Sequence, residues 1–469
     1  MTDVSIAPDG THRLDPRTRR MVVVLLFGAV LPLLDITIVN VALDNLSKAF
    51  DAPVSAVQWV ATGYALASAV AIPVSGWATH RFGGKQVWIT ALALFLAGSV
   101  ACGLAWNLAS LIAFRIVQGI GGGLSMPVLQ TLLVRSADKQ QATRAMGAVG
   151  SPAVLAPILG PILGGLLLGW ADWRWIFLVN VPVCIVGIIM AARHLPISGR
   201  TSAHTLDLPG LLMLSPGLAL LVFGLSQTGS EASGPRWAVT VSVGSGAALL
   251  IAFALWALRT PAPLLDVRLF KSPHFLGAWI TLLMTCLVFY GGLLLLPLYY
   301  QRTWGCSPLQ AGLILAVQGV GALAARSVAN RLTTRIGTRA TVLTALALGV
   351  VGTVPFAAGP ASGLSWLLYT GLVIRGAGIG AVTILIMGAC YHRIGRDHIA
   401  YASAASRIAT QLGGALGSVL VVAALSTQTT ISSAAAPEAF ATSFWWLTGI
   451  SAIAVLPALL LPRGPVERL

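Results

Sequence analysis

Apolar residues run along this chain in long blocks, separated by short stretches rich in Arg, Gly and Pro. A helix needs about 20 apolar residues to cross the roughly 30 Å hydrocarbon core of a bilayer. Runs of that length predict fourteen helices, at 22–43, 57–78, 87–106, 109–134, 145–168, 175–193, 207–226, 237–258, 275–299, 310–330, 340–358, 364–387, 399–424 and 441–462. Composition agrees: 57% of the 469 residues are hydrophobic, 9% are charged, and the mean hydropathy is +0.86. So few charges cannot cover a soluble surface of this size, so lipid must be the solvent. In lipid every backbone polar group has to be satisfied internally, which makes the helix the spanning element. The predicted class is an all-α integral membrane protein.

A net charge of +15 raises the question of nucleic acid, and the distribution of the basic residues answers it. With an even number of spans both termini share a side, and placing them in the cytoplasm puts only Lys48, Arg174, Arg236 and Arg302 in external loops. Four more, Arg115, Arg326, Arg375 and Arg407, fall within spans, and the remaining 21 lie in cytoplasmic loops and tails. That is the positive-inside asymmetry of a multi-pass protein of a bacterial inner membrane, so the expected surroundings are a lipid bilayer and no nucleic acid. Arg13, Arg17, Arg19 and Arg20 resemble the charged end of a signal peptide, but the apolar run after them is too long for one and is kept as the first span. The five cysteines, at 102, 184, 286, 306 and 390, have neither metal nor disulfide spacing and read as small packing residues.

The chain repeats itself. "RFGGK" (81–85) recurs as "RIGTR" (335–339), "QGIGGG" (118–123) as "RGAGIG" (375–380), and "LGPILGG" (159–165) as "LGGALGS" (412–418), at offsets of 254, 257 and 253. Residues 1–200 and 263–469 are therefore expected to be parallel copies of a six-helix bundle, with 201–262 a two-helix insert. An insert with an even number of spans leaves the topology of the second half unchanged and reads as an addition to the transport core.

Against this apolar background the polar exceptions stand out. Asp35 is the only one of fourteen acidic residues expected deep inside a span. An intramembrane acid costs about 2.5–3.5 kcal/mol even on lenient scales and is a functional-site candidate by default. A carboxylate held between helices can take a proton from a hydrated vestibule, cross the low-dielectric interior neutral, and ionise again on the other side. Arg115 and Gln118 share one face of the fourth span, next to Gly119, Gly121 and Gly122, which admit a close neighbour. Arg115 lies near one end of its span, so snorkelling to the interface is the competing account. Pro152, Pro157 and Pro161, among Gly150, Gly160, Gly164 and Gly165, interrupt the hydrogen-bond ladder of the fifth span and give either a helix that can repack or a static kink. Arg375, in the repeat position of Gln118, and Tyr290 and Tyr299 in the seventh predicted-bundle span are candidate substrate contacts, with Arg407 a weaker one.

Six stretches together carry a resemblance. "LDITIVNVAL" (34–43), "GWATHRFGGK" (76–85), "RIVQGIGGG" (115–123), "GPILGG" (160–165), "WRWIFLVNVPV" (173–183) and "LPLYYQRTWGCSPLQAG" (296–312) resemble, in order, motifs of the major facilitator superfamily and of its fourteen-helix drug:proton antiporter branch. The resemblance implies two six-helix bundles plus two extra helices, alternating access, and a role for Asp35 and Arg115 in proton coupling. It also implies conformational roles for Gly76, His80, Arg81, Gly83, Lys85, Gly119, Pro157, Gly160, Pro161, Gly164 and Gly165. Two positions depart from the pattern. His80 stands where the family usually carries an Asp that latches the halves together, so the latch is either weaker or pH-sensitive. Asp44 stands where the branch usually has Pro.

The resulting expectation is proton-coupled efflux of an amphipathic small molecule, driven by the proton gradient with no cofactor and no resident metal. Asp35 would serve both the proton and the substrate, Arg115 the proton, and Gln118 the substrate. One deep acid suits lipophilic cations, whereas four intramembrane arginines suit an acidic or zwitterionic compound. An uptake symporter on the same fold and a non-transporting sensor remain open, as does a periplasmic adaptor. No catalytic constellation supports an enzyme: Gly-x-Ser-x-Gly, GxxxxGK[ST] and clustered His or Cys ligands are all missing from the sequence.

Overall fold

A computed structural model describes residues 15–52, 54–57, 59–136, 145, 159–160, 163–196, 206–227, 236–261, 263–306, 308–358, 365–391, 394–395, 398–429 and 436–462. The long helices are α1 Pro16–Ala49, α2 Trp59–Phe82, α3 Gly84–Gly103, α4 Leu108–Ser136 and α5 Asn180–His194 in the first half. The insert forms α6 Leu208–Gln227 and α7 Arg236–Arg259. The second half supplies α8 Pro273–Trp304, α9 Pro308–Ile336, α10 Thr338–Ala357, α11 Ser365–Ala389, α12 Ile399–Thr429 and α13 Ala436–Ile453. Among the described residues eleven helices are long and apolar enough to cross a membrane. The helices at 310–330 and 399–424 form but are not among those eleven; they carry Gln318, Ser403, Ser406, Arg407 and Gln411. The expected span 145–168 lies largely outside the described residues.

The internal repeat survives as geometry. Gly83 and Gly337 each form the one-residue link between consecutive helices, with φ of 88° and 87°. A left-handed residue there reverses the chain at no steric cost, which a side chain would incur. Close helix contacts repeat at the same offsets: Gly98 of α3 lies against Gln118 of α4, and Gly352 of α10 against Arg375 of α11. Gly119 packs on the Tyr64 carbonyl of α2, and Gly376 on the Gln318 carbonyl of α9. Glycines at these crossings bring backbones together without a hydrophobic driving force, as helices in lipid require.

The halves meet where α2 turns into α3. There α12 packs against α2 and α4. Gly76 of α2 faces Ala400 of α12, with only ordinary van der Waals space between them. The Tyr391 hydroxyl donates to Gln130 Oε1 at 3.0 Å and lies 3.1 Å from Ser403 Oγ, while Thr131 Oγ1 and Ser403 Oγ are 3.3 Å apart. Along α12 the turns near Ala402–Ser406 are buried, and those at 410–420 are mostly half-buried. Burial along α12 thus decreases away from this contact.

The insert is more than an appendage. Its α6 packs on α2 of the first half and on α12 of the second, so it lies along one seam between them. Ser215 Oγ donates to the Val70 carbonyl at 2.9 Å, and the Trp59 and Phe223 rings approach to 5.5 Å. Asp207 ties the hairpin together, accepting from Gly210 N at 2.9 Å, Trp256 Nε1 at 3.0 Å and Leu264 N at 3.0 Å. Each buried donor left without an acceptor costs about 1–3 kcal/mol. Asp207→Ala is therefore expected to lower the thermal midpoint of the purified protein, and Asp207→Asn, which keeps one acceptor oxygen, to lower it less. Tryptophan fluorescence on heating, with Trp256 as reporter, checks this ordering.

Candidate functional site

Five elements of the first half converge on Asp35. It sits on α1 three residues after Pro32, which has no N–H to give the Gly28 carbonyl. Arg115 and Gln118 come from α4, Ser99 from α3, Val60 and Tyr64 from α2, and Asn180 from the first position of α5. Asp35 and Gln118 have no exposed surface, and Arg115 and Asn180 are buried.

The carboxylate is fully engaged. Arg115 Nη1 forms an ion pair with Asp35 Oδ2, while Gln118 Nε2 donates to Oδ1 at 3.0 Å and Asn180 Nδ2 at 3.1 Å. The guanidinium is held in turn: Nε donates to the Val60 carbonyl at 3.1 Å, Nη1 to Gln118 Oε1 at 2.7 Å, and the group stacks 4.3 Å from the Tyr64 ring centroid. Gln118 Nε2 also reaches Ser99 Oγ at 2.7 Å. Such a network is what a buried ion pair requires, because the desolvation of both charges is offset only when the remaining lone pairs and protons are matched. Arg115 therefore points into the bundle and does not snorkel. The sequence pattern placed Arg115 and Gln118 on one face; it gave no role to Asn180, Tyr64 or Ser99. A polar amide inside the apolar run 175–193 was the available sign of Asn180.

Chemically, the pair is closed on every side: losing either member would leave the other as an uncompensated buried charge, at a cost of about 3–5 kcal/mol. Any change in the pair therefore bears on how α1, α4 and α5 pack.

The second half has a counterpart at the repeat offset. Arg375 of α11 is buried, donating from Nη1 to Gln318 Oε1 at 2.8 Å and from Nη2 to the Val288 carbonyl at 3.1 Å. Tyr290 is half-buried on α8 and faces Gly414 of α12. Tyr299 is elsewhere: it is buried in an aromatic cluster with Tyr300, Phe356, Phe440 and Phe444, at centroid distances of 5.4 to 6.0 Å. Its contacts come from α8, α10 and α13 and none from the Asp35 group.

The loop-motif residues gather at the closed end. His80 stacks on Tyr401 of the second half at 5.9 Å, and Tyr401 lies 6.1 Å from His398, which is paired with Asp266 at 3.4 Å. Lys85 Nζ donates to the Ala192 carbonyl at 2.6 Å, near the C-terminus of α5, where a cation is favoured. Arg81 is exposed. Gly160 packs against Thr37 of α1, two residues from Asp35, and Gly164 is buried while Gly165 is open. Pro152, Pro157, Pro161 and Gly150 lie outside the described residues, as do the side chains of Asp44 and Arg326.

Comparison with known proteins accords with this geometry. The family model of the Major Facilitator Superfamily matches residues 25–418. The chain is 37% identical over 419 residues to the Multidrug resistance protein B homolog of Mycobacterium tuberculosis, covering 89% of this chain and 78% of that one. It is 32% identical over 341 residues to the putative multidrug resistance protein MdtD of Salmonella paratyphi A, covering 72% and 71%. Among solved structures, the human organic anion transporter MFSD10 superposes with a TM-score of 0.65 over 95% of this chain and all of that one, at 17% identity, a likeness of fold alone. The chain belongs to the Major Facilitator Superfamily and is a membrane transporter of that fold, not an enzyme.

Proposed function

We propose that this transporter exports amphipathic compounds from a bacterial cytoplasm in exchange for protons, with Asp35 as the proton carrier. The observation that carries the reading is the buried Asp35–Arg115 pair, closed by Gln118 and Asn180, on helices that pack through small residues. The names of the relatives, multidrug resistance proteins, support small-molecule efflux as the direction.

The proposed cycle uses two states of the pair, Asp35 ionised and Asp35 protonated. The closed end carries Arg81 and Lys85, which the charge asymmetry assigns to the cytoplasm. In this reading the ionised pair belongs to the outward-open state, and loosening of α1 against α4 lets the buried Asp35 take a proton from outside. Protonation releases Arg115, α1 and α4 shift against α5, and the halves rock to open inward. There the proton leaves to the more alkaline cytoplasm, substrate enters, and the re-formed pair favours return. One proton moving through about 100 mV releases roughly 2.3 kcal/mol, and one pH unit adds about 1.4 kcal/mol. Together these sustain a gradient of a neutral substrate on the order of several hundredfold.

Asp35→Asn is expected to abolish pH-driven accumulation in proteoliposomes while leaving downhill exchange of substrate in place, because the amide keeps its shape but cannot cycle a proton. Substrate flux measured with and without an imposed pH gradient separates the two. Accumulation by Asp35→Asn equal to wild type would overturn the coupling role, and co-movement of substrate with protons would make the protein a symporter. At the closed end, Tyr391→Phe removes the donor to Gln130 and is expected to raise the population of the inward-open form. In a cysteine-free background carrying Ser403→Cys, a polar maleimide applied from the cytoplasmic side should then label faster.

A further inference from the structure

We propose that Arg375, with Gln318, is a receptor for an acidic group on the transported compound, assisted by Arg407 across the cleft; this rests on the export reading above. The starting observation is a buried charge without a counter-ion. Arg375 has no exposed surface, its Nε has no hydrogen-bond partner among the described residues, and its other nitrogens meet only a neutral amide and a carbonyl. Buried guanidinium groups are otherwise paired, because an unpaired charge in a low-dielectric interior is costly.

Among the described residues no acid pairs with Arg375. After Lys271 the acids of the chain are Asp397, Glu438 and Glu467, and none falls in the middle of an apolar run. Glu438 is exposed in the first turn of α13. The internal repeat sharpens the point. In the first half the corresponding position, Gln118, reaches a carboxylate on the first helix of the bundle. In the second half Arg375 reaches the first helix of that bundle too, but there it lies against Gly292, where a side chain is missing and any Cβ would run into the guanidinium. The place that Asp35 fills in one half is empty of charge in the other.

The site has a route from the cleft. Gln318 is half-buried, whereas Arg375, Val288 and Gly292 are buried. On α9 the exposed positions Leu313 and Val320 lie on the far side of the helix from Gln318, at roughly 100° per residue. The remaining surface of Gln318 thus faces inward. Arg407 adds a second cation. It is half-buried on α12, where no described residue from Ile399 to Val421 is exposed, so its free surface opens to an internal cleft and not to lipid. It stands on the helix that packs against both α2 of the first half and α8 of the second. Since Asp35 is consumed by Arg115, Arg375 and Arg407 leave a positive field that favours an amphipathic anion over a lipophilic cation. Exchange of such an anion for one proton moves two charges across the membrane, so the membrane potential drives it twice over.

The test uses the full chain in nanodiscs, with fluorescein as an aromatic carboxylate and ethidium as an aromatic cation, binding followed by anisotropy. Wild type is expected to hold fluorescein, and Arg375→Gln to weaken it about tenfold or more, as expected for loss of a charge-assisted contact, with ethidium unchanged. Gln318→Glu, of the same size, supplies a counter-ion where the amide oxygen already accepts from Arg375 Nη1 at 2.8 Å, and is expected to weaken fluorescein equally while keeping the thermal midpoint of wild type, which covers the case in which Arg375→Gln does not fold. Fluorescein binding untouched in both variants would overturn the proposal. So would its displacement by an equal concentration of chloride, which would assign the guanidinium to an inorganic anion. A wild type that exchanges ethidium for protons and binds no fluorescein overturns the anion site and leaves proton-coupled export standing. Fluorescein binding lost in both variants without any proton exchange does the reverse.

Discussion

A carboxylate and a guanidinium, both taken wholly out of water, are held together by Gln118 and Asn180, and the first half of the molecule is arranged around that fact. The desolvation of two ions in a bilayer is offset only if every remaining polar atom finds a partner. Satisfying that condition takes side chains from α1, α4 and α5 and a carbonyl from α2. The pair therefore cannot be broken without changing how these helices meet, and under the proposed proton coupling a local proton event would become a property of the whole bundle.

The two halves use one scaffold for opposite purposes. Gly98 and Gly352, and Gly119 and Gly376, bring equivalent helices to equivalent distances. On that shared frame the first half buries an acid with its base, and the second buries a base alone. On the proposed reading the closed pair carries the proton, and the open charge receives a group from outside the chain.

Motion has to occur where the halves touch. Their described contact at the closed end includes hydroxyls, an amide, alanines and a glycine, with one imidazole–tyrosine stack, His80 on Tyr401. Such contacts are individually weak and can be exchanged without tearing apart a packed core. The insert helix α6 bridges α2 and α12 along one seam. Any rocking of the halves would have to slide α12 past α6 or carry the hairpin with one side.

Much of this was legible in the residues. Block lengths of apolar residues locate spans because bilayer thickness is an external ruler. Offsets between short motifs point to the positions where glycines bring equivalent helices together, and an acid in the middle of an apolar run marks the place where a polar network has to form. What the pattern could not supply was partnership. Asp35 reads in the sequence as a lone acid, yet Arg115 and Asn180, 80 and 145 residues away, close it completely. Tyr299 reads as a substrate contact and lies in an aromatic cluster, and Arg375 reads as a minor candidate and proves to be a buried charge with no acid beside it. Hydropathy is a property of each helix by itself. Which side chains meet depends on the rotation and register of one helix against the next, and those are set by small-residue packing between segments far apart in the chain.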